Sequence, residues 1–295
     1  PVYDPDLSRL RGRVFTLTAD GISGDGIVNI DDLQWRYLDG DGDFRSSEVT
    51  ALRDEADFVI TNPPFSLFRE FLAWLVAGGQ RFSIIGSRNA LAYKVLFPLI
   101  RDGKVWLGKG FHGGGAYFTV PVAADASGYA TGVFDATTRT VHFRNTCWWF
   151  TNIDHDRRHE PLQLMTTADN LKYSRHATVR ELGYQRYDNY DAIEVPFVDA
   201  IPSDYTGVMG VPITFLDKYN PDQFEVLGIT KSWDDPAGLK TKQYPTQTQV
   251  TKTGARSAVG KLNSGGAIKV AEAPDSTFYE VNGEMFVVPF SRLLI

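Results

Sequence analysis

The sequence predicts an α/β domain built on a mainly parallel sheet, followed by an α+β region, and three observations carry that prediction. Between residues 57 and 110, short apolar runs alternate with stretches whose apolar residues recur at helical spacing. Strands that alternate with helices imply a parallel sheet covered on both faces. From Tyr117 the pattern changes to longer runs rich in aromatic and β-branched residues, and beyond about Glu160 the periodicity weakens while Pro and Gly interrupt often. The 295 residues, 43% hydrophobic, suffice for one large core or for a core domain with a smaller partner.

Taken in order, residues 57–61 (DFVIT) form a short apolar strand. Residues 66–76 follow with Leu67, Phe68, Phe71, Leu72 and Leu75 at helical spacing, and Gly78-Gly79 stops them. Residues 81–86 (RFSIIG) read as a second strand, 89–96 as a second helix ending near Pro98, and 104–108 (KVWLG) as a third strand. Residues 117–122 and 140–151 have the composition of strands at an antiparallel edge. No internal repeat is present. No apolar run approaches the 18 or more residues of a membrane span, and the first residues lack a secretory signal pattern. The single cysteine, Cys147, excludes a disulfide framework and a thiolate zinc cluster and points to a reducing compartment, so a cytoplasmic protein is expected.

The net charge of −6 argues against a nucleic-acid partner, but its distribution softens the objection. Between Lys231 and Lys269 lie Lys231, Lys240, Lys242, Lys252, Arg256, Lys261 and Lys269 against only Asp234 and Asp235, a local charge of +5. A solvated polar loop and a phosphate-tracking surface both fit that stretch. Lys240, Lys242, Lys252 and Arg256 are the candidate phosphate contacts.

Chemistry concentrates at Asn62-Pro63-Pro64-Phe65, at the carboxyl end of the first strand of the α/β run, where ligands of open α/β sheets sit. Each proline fixes its own φ and pushes the preceding residue into extended conformations, so the acceptors around Asn62 and Pro63 are held in place. The Asn62 side-chain oxygen and the Pro63 carbonyl oxygen suit the two N–H donors of an exocyclic amine. With both bonds made, the nitrogen lone pair stays free to attack a methyl sulfonium. Phe65 offers a flat face on which a base can stack, a contact worth about 1–3 kcal/mol. The bland alternative is a rigid strand-to-helix turn without a catalytic role.

Five blocks, GDGDFRSSE (40–48), DFVITNPPFSLFREF (57–71), FSIIGSRNALAYK (82–94), YDNYDAIEV (187–195) and DYTGVMGVPITFLDKYNPDQFEVLG (204–228), closely resemble adenine-specific DNA methyltransferases of the EcoRI modification-methylase type. The resemblance covers roughly residues 40–110 and 145–230. It implies a Rossmann-like S-adenosylmethionine-dependent methyltransferase sheet over residues 1–158 and a C-terminal α+β target-recognition, DNA-contacting region over 159–295. It also implies S-adenosylmethionine as methyl donor and double-stranded DNA as partner, with an adenine flipped out of the duplex, in a restriction-modification or phage setting. A monomer is expected. Asn62, Pro63, Pro64 and Phe65 match the family's catalytic tetrapeptide. Asp43-Phe44 resembles the pair that holds the cofactor adenine, Asp43 accepting from its amino group and Phe44 packing near its ring; a turn aspartate is the alternative for Asp43. The block at 204–228 carries no chemistry that can be derived and reads as packing.

The family's cofactor motif, an Asp-Pro followed by Ser and aromatic residues, is not matched, and PVYDPD resembles sequence just downstream of it. The chain is therefore expected to lack the first strand and cofactor loop of its catalytic domain. The loop from Asp20 to Gly26 is the alternative cofactor turn, although only 35 residues separate Gly26 from Asn62. Two other functions stay open: an RNA or protein amine methyltransferase using the same tetrapeptide, and a non-catalytic DNA-binding relic. Three features carry no such chemistry. Asp39, Asp41 and Asp43 start like a calcium loop, but the sixth position is Phe44 and the twelfth Thr50. Gly113-Gly114-Gly115 lacks the Lys-Ser/Thr of a phosphate cradle. His155, His159 and Glu160 are not a helical i,i+4 metal pair with a third ligand and read as a solvated charged turn, so no metal is expected.

Overall fold

The computed structural model describes residues 3–19, 29, 32–110, 117–121, 133–135, 137–144, 146–236 and 238–295. The chain divides into two compact units, Pro1–Ile84 and Ile85–Ile295.

In the first unit a single helical turn, α1 (Leu7–Leu10), precedes β1 (Arg13–Leu17), which pairs antiparallel with β2 (Leu33–Tyr37) in the register Phe15↔Trp35. Helix α2 (Ser47–Glu55) starts where the Ser46 hydroxyl accepts a 3.2 Å hydrogen bond from the Val49 amide, which satisfies one of the free donors of the first turn. Strand β3 (Phe58–Thr61) leads through a 3-10 turn (Phe65–Leu67) into α3 (Phe68–Gly78), and β4 (Arg81–Ser87) returns parallel to β3, with Phe58 opposite Arg81 and Thr61 opposite Ile84. This strand-helix-strand unit is the one the sequence pattern predicts. Helix α3 buries Phe68, Phe71, Leu72 and Leu75, a single stripe at i, i+3, i+4, i+7. Each contributes about 1.5–3 kcal/mol by leaving water. Gly79 ends the helix in the left-handed region, φ +75°, where a residue with a Cβ is strained.

Strand β4 runs on into the second unit, and there three expectations fail. Residues 89–96 do not form one helix ending near Pro98. A 3-10 segment, Arg88–Ala92, is capped by Ser87, and α4 (Phe97–Arg101) carries Pro98 in its first turn. Proline lacks the N–H that a first turn leaves unbonded anyway, so here it opens the helix. The predicted third strand shortens to β5 (Trp106–Leu107) and pairs antiparallel with β9 (Cys147–Thr151), Leu107 opposite Phe150. Two paired residues are too few for a sequence pattern to reveal direction. Strand β6 (Tyr117–Pro121), β7 (Val133–Asp135) and β8 (Thr140–Arg144) form an antiparallel sheet in the order β6-β8-β7. The run expected as one strand over 140–151 is two, β8 and β9 (Cys147–Thr151).

Helices α5 (Thr167–Tyr173) and α6 (Ala177–Leu182) lead into β10 (Ile193–Glu194), β11 (Met209–Pro212) and β12 (Gly228–Ile229). The remaining strands are β13 (Thr248–Val250), β14 (Arg256–Ala258), β15 (Ile268–Val270), β16 (Phe278–Val281), β17 (Glu284–Val287) and β18 (Arg292–Leu294). They build two sheets, β10-β11-β18-β12 and the antiparallel β14-β13-β16-β17-β15. The basic stretch 231–269 thus contains β13 and β14 and runs into β15, so it is no plain loop. Tyr244, Leu262, Ala267, Tyr279, Val281 and Phe286 pack beneath the second sheet.

The blocks at 187–195 and 204–228 find their physical role here. Asn189 is fully buried and fastens three backbone groups: its amide nitrogen donates to the carbonyls of Leu262 (3.2 Å) and Gly265 (2.9 Å), and its oxygen accepts from the Ala267 amide (2.7 Å). The Tyr187 hydroxyl donates to the Glu194 carboxylate, which also pairs with Arg292 at 2.6 Å. A Cβ on Gly210 would lie 2.2 Å from the Tyr187 hydroxyl oxygen, so the glycine of β11 leaves space for that ring. In the block at 204–228, Met209, Val211, Phe215, Leu216 and Val226 are buried.

Candidate active site

Asn62-Pro63-Pro64-Phe65 joins β3 to the 3-10 turn before α3, within the first unit. Pro63 is buried, whereas Asn62, Pro64 and Phe65 are exposed, Phe65 at 48%. Pro64 has φ −58° and ψ 124°, and its carbonyl accepts from the Leu67 amide at 3.0 Å, which closes the turn. Neither the Asn62 side chain nor the Pro63 carbonyl is hydrogen-bonded among the described residues. Two acceptors therefore stand free at the carboxyl end of a strand in a parallel pair, one of them on an exposed side chain. Two free acceptors match in number the two N–H donors of a planar amine.

Asp43 and Phe44 are tied to the same helix that the tetrapeptide opens. The Phe44 ring is buried, edge-on to Phe71 (5.1 Å between centroids) and to Trp74 (5.5 Å), both on α3. Asp43 accepts a fork from Arg45, Nε at 2.9 Å and Nη2 at 2.6 Å, together with the Arg45 amide at 2.8 Å. Arg45 reaches on to Glu70 in the first turn of α3 at 3.4 Å. The side-chain hydrogen bonds from Arg45, then its backbone amide, lower the Asp43 carboxyl to about 2. A carboxylate offers about four lone-pair sites, and three donors leave room for one more. The turn aspartate and an acceptor with one vacancy are thus the same residue. Sequence reasoning misses Arg45, whose only signal is its place two residues after Asp43.

In the loop at Asp39–Asp43, Asp41 accepts from the Asp43 amide, and Glu48 of α2 accepts from the amides of Asp39 and Gly40. His159 lies between Asp154 (2.9 Å) and Asp222 (3.4 Å), and His155 bonds the Leu107 carbonyl at 2.8 Å, so this cluster is a hydrogen-bonded turn. Among the described residues no group of three or more His, Cys, Asp and Glu side chains is placed to hold a metal ion. The loop from Asp20 to Gly26 and Gly113-Gly114-Gly115 lie outside the described residues.

The candidate phosphate contacts sit in the second unit and are mostly paired. Lys242 meets Asp188, Lys252 meets Asp275 at 2.9 Å, and Arg256 meets Glu280. Lys240 has no ion pair among the described residues; its backbone bridges to Tyr190.

The family model for the adenine-specific methyltransferase EcoRI matches residues 11–272, which include the tetrapeptide, Asp43-Phe44 and the fastened Asn189. The chain belongs to this family. It is 43% identical over 205 residues to the type II methyltransferase M.EcoRI of Escherichia coli, a match covering 70% of this chain and 60% of that protein. It is 33% identical over 218 residues to the type II methyltransferase M.MpnI of Mycoplasma pneumoniae, covering 70% and 62%. The relative M.MgeORF184P of Mycoplasma genitalium is also 33% identical, over 193 residues, covering 64% and 57%. The chain thus spans about 60% of the length of these relatives. No solved structure matches it. The mixed α/β architecture with several sheets agrees with a methyltransferase, and among the described residues no helix is long and apolar enough to cross a membrane.

Proposed function

We propose that this chain carries the amine-positioning part of a site-specific DNA N6-adenine methyltransferase of restriction-modification type. The observation that supports it best is the free acceptor pair, Asn62 Oδ1 and the Pro63 carbonyl, on a proline-stiffened turn at the end of β3. The two acceptors take the two N–H groups of adenine N6 and leave its lone pair directed away from the protein. S-adenosylmethionine, when bound, supplies an electrophilic methyl group. Asp43 suits the cofactor's adenine end, because it is ionised and keeps one acceptor site beyond its Arg45 contacts. Phe44 shapes that place from below through Phe71 and Trp74. Phe65 is half-exposed beside Asn62 and offers its face to the base.

In this reading residues 1–158 belong to a Rossmann-like catalytic domain and 159–295 to a region that contacts target DNA, with Lys240, Lys242, Lys252 and Arg256 on phosphates. The pairing of the last three with carboxylates is no obstacle. Exposed ion pairs are worth about 0–1 kcal/mol, so a phosphate can exchange for the partner. The cytoplasm and a monomeric state complete the proposal. Exposing the protein to labelled S-adenosylmethionine and duplex DNA, then digesting to nucleosides, tests it. N6-methyladenine is the expected labelled product; label in RNA or glutamine instead, or none at all, would replace it with the amine-methyltransferase or relic alternative.

A further inference from the structure

Four of the seven cations of the basic segment, Lys242, Lys252, Arg256 and Lys269, are occupied by neighbouring carboxylates, but Arg88 and Lys231 of the second unit are not. They meet at a groove of about 570 Å³ whose walls include Arg88, Tyr93, Ile213, Lys231, Phe290 and Arg292. The groove forms where β4 ends at Ser87, β11 at Pro212 and β12 at Ile229, with the start of the antiparallel β18 at Arg292 beside them.

Charge and exposure set this groove apart. Arg292 is committed to Glu194, but Arg88 and Lys231 make no ion pair among the described residues. Burial, then the nearby charge of Lys261, lowers the Lys231 ammonium pKa, which marks a place where positive charge lacks its counterpart. At the rim stands Phe290, 91% exposed and the most exposed large apolar residue described. Its backbone is not slack. Pro289 fixes φ just before it. Two residues further on, the Arg292 amide donates to the Thr230 hydroxyl while the Thr230 amide donates to the Arg292 carbonyl, each at 2.8 Å. A rigid turn that holds an aromatic ring in water beside two uncompensated cations suits a polyanion with stackable bases.

We infer that this groove seats double-stranded DNA, with Arg88 and Lys231 on backbone phosphates and Phe290 pressed against a base step as an apolar wedge. The inference rests on the proposed action on DNA and adds surfaces which that reading does not name. Wedges of this kind part neighbouring bases and make extrusion of one base easier.

Fluorescence anisotropy of the full chain with a labelled duplex, at several salt concentrations, tests it. R88A/K231A should bind about tenfold or more weakly and flatten the slope of log affinity against log salt by about 2, near 0.9 for each phosphate no longer neutralised. R88K/K231R keeps both charges and should retain the slope, which separates charge loss from misfolding. F290A should weaken binding about five- to tenfold with the slope unchanged, while F290W holds it. Unchanged affinity and slope in R88A/K231A, beside normal binding by the unaltered chain, overturn the groove and leave the proposed function standing. So does a weakening seen only with RNA hairpins and not with the duplex. If the unaltered chain binds no duplex at any salt concentration, both fall together.

Discussion

Replacing Asn189 with alanine removes no apolar contact of consequence, yet it should be among the most damaging single changes in the second unit. Its amide is fully buried and satisfies the carbonyls of Leu262 and Gly265 and the amide of Ala267, groups more than seventy residues away in the chain. Alanine leaves all three without partners in a place water reaches poorly. Each orphaned buried group costs about 1–3 kcal/mol, so a loss of about 3–5 kcal/mol follows if the cavity admits partial hydration. That is a large share of a typical stability of about 5–15 kcal/mol. Urea unfolding followed by intrinsic tryptophan fluorescence should show a midpoint lowered by roughly 1–2 M with an unchanged slope. Asn189→Asp sharpens the test. The acid keeps an acceptor for Ala267 but turns a carboxylate oxygen towards two carbonyls, so it should be as unstable as alanine at pH 7. Burial and the two carbonyls raise the pKa of that carboxyl, so as pH falls towards the ordinary value of about 4 it protonates, can donate to one carbonyl, and should recover part of the loss relative to alanine. A destabilisation under about 1 kcal/mol for Asn189→Ala would refute the view that these hydrogen bonds hold the sheet and the Leu262 turn together.

Two further outcomes follow from the geometry. If Phe65 receives an extruded base, 2-aminopurine at the target position should brighten on binding, Phe65→Ala should weaken binding and slow transfer on paired DNA, and Phe65→Trp should be tolerated; a quenched signal during normal methylation would exclude flipping onto this ring. His159 titrates above its ordinary value because Asp154, then Asp222, bond its charged form. Its contribution to stability is therefore fully present below the ordinary histidine value of about 6.5 and is lost as pH rises through the raised one. Thermal melts should show a small decline as pH rises above the ordinary histidine value of about 6.5 that His159→Gln removes, and an equal decline in that variant would assign it elsewhere.

What can be read from residues alone is what depends on short-range pattern. The β3-α3-β4 unit is visible because Phe68, Phe71, Leu72 and Leu75 keep helical period between two apolar runs, and the Asn62 turn because two prolines restrict the backbone whatever surrounds it. Features that depend on distant partners are not visible. The ion pair between Glu194 and Arg292 links residues 98 apart, and no local pattern announces it. The direction of β5 is set by its pairing with β9, not by Trp106 and Leu107 themselves. Lys242, Lys252 and Arg256 look like a free basic stretch until the fold places Asp188, Asp275 and Glu280 against them. Phe44 can be matched to a cofactor pair by resemblance, but its seat against Phe71 and Trp74 requires the packing of α3.

The free acceptors at the tetrapeptide bear most directly on function, and Asn62→Ala probes one of them without disturbing a hydrogen bond within the protein. Removing one preorganised polar group at a reacting centre costs about 10²–10³ in rate. Single-turnover methyl transfer to a cognate duplex, measured with S-adenosylmethionine in excess, should fall by that factor while DNA affinity and the urea midpoint stay as they were. A variant that keeps more than about a tenth of the original rate would contradict the assignment of Asn62 as an acceptor for the adenine amine, because so large a residual activity does not fit the removal of a group at the reacting nitrogen.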